Sequence, residues 1–203
     1  MAKFLRKEDV KALNYLVEGY IAFLDDRGLS STPAAQELID AYGDISEEGN
    51  TVSVIADCVT AAAKLDASWA GALNAIVSSG IRQLNYPSSW RVATTRSAQD
   101  YITRNPGTPI AVSGGPTVAT WVCPGLGVPS HPAHDALPIN CTVDHDTPVV
   151  WHWNNFGYDT TKIERTEWYH DASNHVIMCG SCNSAKSGGG VFYNIVTGNN
   201  YSN

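Results

Sequence analysis

No stretch of the 203-residue chain approaches the roughly 20 consecutive apolar residues that a bilayer-spanning helix needs, so the sequence predicts no membrane segment. The opening Met1-Ala2-Lys3-Phe4-Leu5-Arg6-Lys7-Glu8 turns charged too soon to hold a signal-peptide core. The expectation is a cytoplasmic protein, or one exported by a route that this chain does not encode. Positive charge is scarce: 13 Lys and Arg face 20 Asp and Glu, a formal charge of −7. That balance excludes the strongly basic domain that is the simplest nucleic-acid signature. Cysteine is sparse too. Cys58, Cys123, Cys141, Cys179 and Cys182 are too few and too irregular for a disulfide framework, and an odd count leaves a thiol over. Repeats and low-complexity tracts are absent. Apolar residues are not in short supply: 43% hydrophobic against 16% charged excludes a disordered chain.

The first half reads as helices. Val10, Leu13, Leu16, Val17, Tyr20, Ile21 and Leu24 recur at three- and four-residue steps, one stripe of an α-helix. Gly28 supplies a stop. Thr32-Pro33 sets a capping hydroxyl before a proline at the first helical position, opening a second helix through Leu38, Ile39 and Tyr42. Ala-rich stripes near Thr51–Lys64 and Ser68–Leu84 predict two more, the latter capped by Asp66. These stripes are core packing. From Pro106 to Pro138 Gly and Pro become dense, favouring loops and short strands. The expected strands are Ile110–Val112, Thr117–Val122, Val143–Trp153 and Val176–Met178. Residues 1–105 thus read as a helical portion packed on an irregular α+β portion, 106–203. Beyond Pro106 the cations are only Lys162, Arg165 and Lys186, whereas Arg82, Arg91, Arg96 and Arg104 lie close together before it. A phosphate-gripping surface has to borrow from that arginine stretch.

Two clusters in the second half carry chemistry: Cys141-Thr-Val-Asp144-His145-Asp146-Thr-Pro148, and Asn174-His175-Val-Ile-Met-Cys179-Gly-Ser-Cys182-Asn183-Ser-Ala-Lys186. An Asp beside a His at a strand end offers a hard oxygen ligand next to an imidazole that accepts a proton near neutral pH. Asn183 adds a second, uncharged oxygen ligand. It shares a face with Lys186 if a helix starts near Ser181 and ends at the glycine run 188–190. Cys179-Gly-Ser-Cys182 is compatible with redox chemistry, metal binding or a structural knuckle, and cysteine count alone does not choose.

The ordered set resembles the HNH/endonuclease VII superfamily of nucleases, the ββα-metal fold. Its first strand carries Asp-His-x-x-Pro, an Asn introduces the second strand, and C-x-x-C-Asn-x-x-Lys opens the helix. Asp144-His145-Asp146-Thr147-Pro148, Asn174 and Cys179-Gly-Ser-Cys182-Asn183-Ser-Ala-Lys186 match in that order. The likeness covers about 141–190 and is greatest to the nuclease domains of bacterial polymorphic toxins. It implies that Asp144 and Asn183 ligate one catalytic Mg²⁺ or Mn²⁺. It makes His145 the general base, Asn174 the residue that orients it through its backbone, and Lys186 a phosphate-holding catalytic residue. Arg165 joins Lys186 as a substrate contact. The implied substrate is nucleic acid, DNA before RNA, and the implied partner an immunity protein that covers the site.

Relatives often complete a four-cysteine zinc site with an earlier C-x-x-C; here Cys123-Pro-Gly-Leu126-Gly127 has Leu126 in place of the second cysteine. A structural Zn²⁺ on Cys179 and Cys182 would need Cys123, Cys141 or a histidine of His131-Pro-Ala-His134 to complete it. Trp151, His152, Trp153, Phe156 and Tyr158 alternate like a strand in the long spacer before Asn174. From another class comes the rival reading, a non-catalytic zinc-knuckle module that binds nucleic acid or protein, with Asp144-His145 incidental.

Overall fold

A computed structural model describes residues 4–48, 51–111, 113–186 and 191–202. The described residues form an α+β protein in which helices dominate and the sheets are three antiparallel pairs. Val112 and the glycine run 188–190 lie outside them. No described helix is long and apolar enough to cross a membrane. The chain divides into two compact units, 1–86 with 150–165 and 192–203, and 87–149 with 166–191. The second half of the sequence therefore contributes to both.

The first unit is built on α1 (Lys7–Asp26), α2 (Pro33–Glu48), α3 (Val52–Leu65) and α4 (Ala67–Asn85). Their stripes meet in a core of Leu13, Val17, Leu38, Ile55, Cys58, Leu73, Val77 and Ile81. The ends follow the local chemistry. At the close of α1, Gly28 takes φ +65°, while Gly28 N–H donates to Asp25 O and Leu29 N–H to Leu24 O. That paired left-handed stop favours glycine. The Thr32 hydroxyl accepts from Ala35 N, and Asp66 accepts from Ser68 N and Trp69 N at 2.8 and 3.1 Å.

Onto this unit come α6 (Val149–Asn155), the start of α7 (Lys162–His170) and the C-terminal segment. The aromatic run around Trp151–Trp153 is thus a helix, where the sequence suggested a strand. Trp153 and His152 are buried while Trp151 is 48% exposed, a helical division that alternation over so few residues mimics. Tyr86 hydroxyl and His152 Nδ1 meet at 2.7 Å, and burial raises the Tyr86 pKa.

The second unit comprises α5 (Val92–Arg104), β1 (Ile110–Ala111) with β2 (Thr117–Val118), and β3 (Trp121–Cys123) with β4 (His134–Ala136). It continues with β5 (Cys141–His145), the end of α7, β6 (His175–Cys179) and α8 (Gly180–Lys186). β5 and β6 are antiparallel in the register Cys141↔Cys179, Val143↔Ile177, His145↔His175. The chain then passes without a gap into α8, which packs on both strands. Trp121, Cys123, Ala136, Met178, Cys179 and Cys182 form the core, with Tyr101 and Ile102 of α5 against it.

Candidate functional site

Two adjoining features of the second unit stand out, and the first is a cluster of cysteines and a histidine that could hold a metal ion. β3 and β4 form a hairpin whose register sets Cys123 directly opposite His134. β6 ends at Cys179, and Cys182 follows one helical turn later. Hairpin and strand end thereby converge: one ligand atom each from Cys123, His134, Cys179 and Cys182 lie within 4.8 Å of one another. His134 Nε2 stands 3.3 Å from Cys179 Sγ, while its Nδ1 hydrogen-bonds the Pro132 carbonyl at 2.9 Å. A carbonyl on Nδ1 fixes the tautomer with the Nε2 lone pair aimed at the thiols, the outer-shell arrangement common to metal-bound histidines.

The turn that delivers His134 leaves no room at Gly125. Its φ is +68°, and a Cβ there would lie 2.4 Å from His131 O. Leu126 N–H closes the turn onto the same carbonyl at 2.8 Å.

Electrostatics within the cluster split the C-x-x-C pair. Burial works against ionising Cys179, but the Ser181 hydroxyl, the Cys182 N–H and the neighbouring thiols outweigh it and lower its pKa. Burial together with those same thiols raises that of Cys182. His134 is held above its ordinary value, first by the Pro132 carbonyl and then by Cys179.

None of the five cysteines is in a disulfide. Tetrahedral zinc bound by thiolates keeps its ligand atoms about 3.8 Å apart, and the four ligand atoms here, all within 4.8 Å of one another, could hold a metal ion. Cys141, also a sequence candidate, is not one of the four; it lies on the wall of a groove beside α5. His131 is likewise outside the set.

The second feature is the β5–β6–α8 element itself. Along β5, Thr142 and Asp144 share a face, and along α8, Asn183 and Lys186 share one. The two faces meet. Asn183 Nδ2 donates to Thr142 Oγ1 at 3.4 Å, and Lys186 Nζ lies 3.1 Å from Asp144 Oδ2 and 2.5 Å from His145 O. The structure thus pairs Lys186 with Asp144 and sets Asn183 against Thr142, two residues before Asp144 on β5.

His145 is adjacent in the chain but oppositely directed, since successive strand residues point to opposite faces. Its ring is 3% exposed, stacks on Trp168 at 5.2 Å and contacts Trp90, Tyr169 and His175, and its Nε2 lies 2.9 Å from Tyr169 O. Asn174 acts on the loop just beyond: its carbonyl accepts from Asp146 N at 2.7 Å, and its Oδ1 from Thr147 N at 2.8 Å. Its Nδ2 is buried without a partner.

Arg165 belongs to the first unit and is no surface cation. It is 0% exposed, and its guanidinium donates to the carbonyls of Asn85, Gly157, Thr160 and Ser202. Trp153 and Tyr201 cover it at 5.9 and 4.9 Å. The expected contact to substrate is replaced by a structural tie between chain segments. Nor does it pair with Glu167, which takes Arg91 at 2.9 Å.

Sequence reasoning had no signal for the aromatic ring around His145, because Trp90 and Trp168 lie far from it in the chain. His134 was legible only as one of two histidines near Cys123, and the hairpin register selects it. Comparison of the chain with protein families, with curated proteins and with solved structures gives no match.

Proposed function

We propose that the protein is a metal-dependent endonuclease of the ββα kind, braced by a structural zinc on Cys123, His134, Cys179 and Cys182. The observation that carries the reading is the facing of α8 on β5, which gathers a carboxylate, a carboxamide and an ammonium on one side of a strand–strand–helix element. These are the groups a phosphodiester hydrolase needs. Asp144 and Asn183 offer hard oxygen ligands suited to Mg²⁺ or Mn²⁺, ions that commonly take one or two carboxylates and complete their shell with water and substrate phosphate. When bound, such an ion stabilises charge on the phosphoryl oxygens.

Lys186, already paired to Asp144, neutralises a phosphate drawn to the same spot. The proton acceptor implied by the resemblance is His145, whose Nε2 is held by the Tyr169 carbonyl so that Nδ1 is the basic nitrogen. The overall acidic charge then requires the electropositive site to be local. DNA is the substrate put forward first. The toxin setting and the covering immunity protein come from the resemblance alone.

One observation favours a second reading, a non-catalytic zinc-knuckle module: the His145 ring is packed as a core histidine. Nicking of supercoiled plasmid decides between them. The nuclease reading expects cleavage with Mg²⁺ or Mn²⁺ that EDTA abolishes and Asp144→Ala reduces by at least about 100-fold. Intact DNA and RNA in every lane, with one zinc per chain, is the result expected of the binding module.

A further inference from the structure

Beside the Asp144 site, in the same unit, α5 and the β5–α8 edge enclose a groove of about 450 Å³. That volume lies in the range of small-molecule sites, about 300–1,000 Å³. Among the described residues its lining has no charged side chain. Trp90 and Ile102 give an aromatic and an aliphatic wall, Thr95 and Gln99 present a hydroxyl and a carboxamide from α5, and Thr142 and Asn183, hydrogen-bonded to each other, line the other side. Thr95 and Gln99 are exposed, one turn apart on α5.

A phosphate would want cations here, and a peptide side chain of either charge would find no partner. A flat, neutral heterocycle with donors and acceptors on its edge fits this chemistry. Carboxamides pair in bidentate fashion with a base edge, and an aromatic ring stacks on its face.

We infer that this groove takes one unpaired nucleobase of the substrate strand, so that the protein acts on single-stranded or locally opened nucleic acid. The inference rests on the nuclease reading for its substrate class. Asn183 links the two places: it lines the groove and lies one helical turn before Lys186, whose ammonium touches Asp144. A base held by Gln99 and Trp90 would lead its own phosphodiester toward that carboxylate. A base inside a duplex offers neither a free face nor a free Watson–Crick edge, and has to be extruded before it can enter.

The test uses the full chain with no Mg²⁺ or Mn²⁺ added, so that cleavage does not proceed and the cysteine–histidine cluster keeps its metal, with fluorescein-labelled oligodeoxyadenylate of about 12 nucleotides, within the span of known single-strand sites. The same strand in a duplex and the same backbone carrying abasic sites serve as comparisons. Gln99→Ala removes the α5 carboxamide, and Thr95→Trp fills the groove from an exposed helical position; both are checked by circular dichroism. The expected result is that the intact single strand binds about 5- to 100-fold more tightly than the abasic strand or the duplex, with that margin reduced in Gln99→Ala and gone in Thr95→Trp.

Equal affinity for intact and abasic strands, or unchanged binding in both folded variants, overturns the inference. The two readings fail separately. Plasmid cleavage that persists in Thr95→Trp with no preference for single strands sinks the base groove and leaves the nuclease. Base-dependent binding without cleavage of any nucleic acid upholds the groove and sinks the nuclease.

Discussion

Arg165→Met isolates what the buried guanidinium does. Methionine keeps an apolar stem of similar reach against Trp153 and Tyr201 and removes every donor. The carbonyls of Asn85, Thr160 and Ser202 then lose the guanidinium, while that of Gly157 keeps the Thr160 hydroxyl and N–H. The Asn85 and Gly157 bonds, at 3.3 Å, are long, so most of the loss falls on Thr160 and Ser202. A buried acceptor left unsatisfied costs about 1–3 kcal/mol. Two such acceptors, with a smaller share from the others, give about 3–5 kcal/mol. For a chain of this length about 2–4 °C accompanies each kcal/mol, so thermal unfolding followed by circular dichroism should fall by roughly 6–20 °C. Arg165→Lys should recover little, because an ammonium cannot span four carbonyls contributed by three segments. Were Arg165 instead a surface phosphate contact, the methionine variant would melt within about 2 °C of the parent and lose only nucleic-acid affinity. That outcome would refute the reasoning.

Three further predictions concern the second unit. The purified protein should carry one zinc per chain by elemental analysis, and His134→Ala, which removes one of four ligands, should lower zinc retention against a chelator by at least about 10-fold. A left-handed alanine costs about 1–2 kcal/mol, and at Gly125 its Cβ would also clash with His131 O; Gly125→Ala should therefore weaken zinc binding although no ligand is touched, and unchanged zinc affinity would remove the turn from the account. Lys186→Met breaks a part-exposed pair with Asp144, so its melting temperature should shift by no more than about 1 kcal/mol would give, whereas cleavage should drop at least about 10-fold if the ammonium meets phosphate.

The parts of the fold that the sequence made legible are those governed by short-range rules. Stripes and caps located the first four helices, including Thr32-Pro33 and Asp66, because a helix is specified by its own spacing and its own ends. The strand near Val176–Met178 was equally local, whereas the one expected over Val143–Trp153 ends at His145 and gives way to α6.

What could not be read depends on partners distant in the chain. Trp151-His152-Trp153 looked like a strand because a one-turn excerpt of a helix with two buried neighbours resembles alternation. Arg165 looked like a surface cation because main-chain carbonyls leave no residue signature. Cys141 and Cys123 were equal candidates until hairpin register set Cys123 against His134 and left Cys141 on the groove wall. His145, expected to face substrate, is instead enclosed by rings from Trp90, Trp168 and Tyr169. Its replacement by alanine should therefore cost stability as well as any activity, and a conservative change at Asp144 is the cleaner probe of chemistry.

That probe supplies the most direct test of the central claim. Single-turnover cleavage of labelled DNA and RNA is measured with Mg²⁺ or Mn²⁺ for the parent and for Asp144→Asn, at equal zinc content. Asparagine preserves shape and withdraws the charge that would hold the ion. The account predicts metal-dependent cleavage by the parent and a fall of at least about 100-fold in the variant, with zinc and melting temperature little changed. Equal cleavage by both proteins, or none by the parent on any nucleic acid, would contradict it.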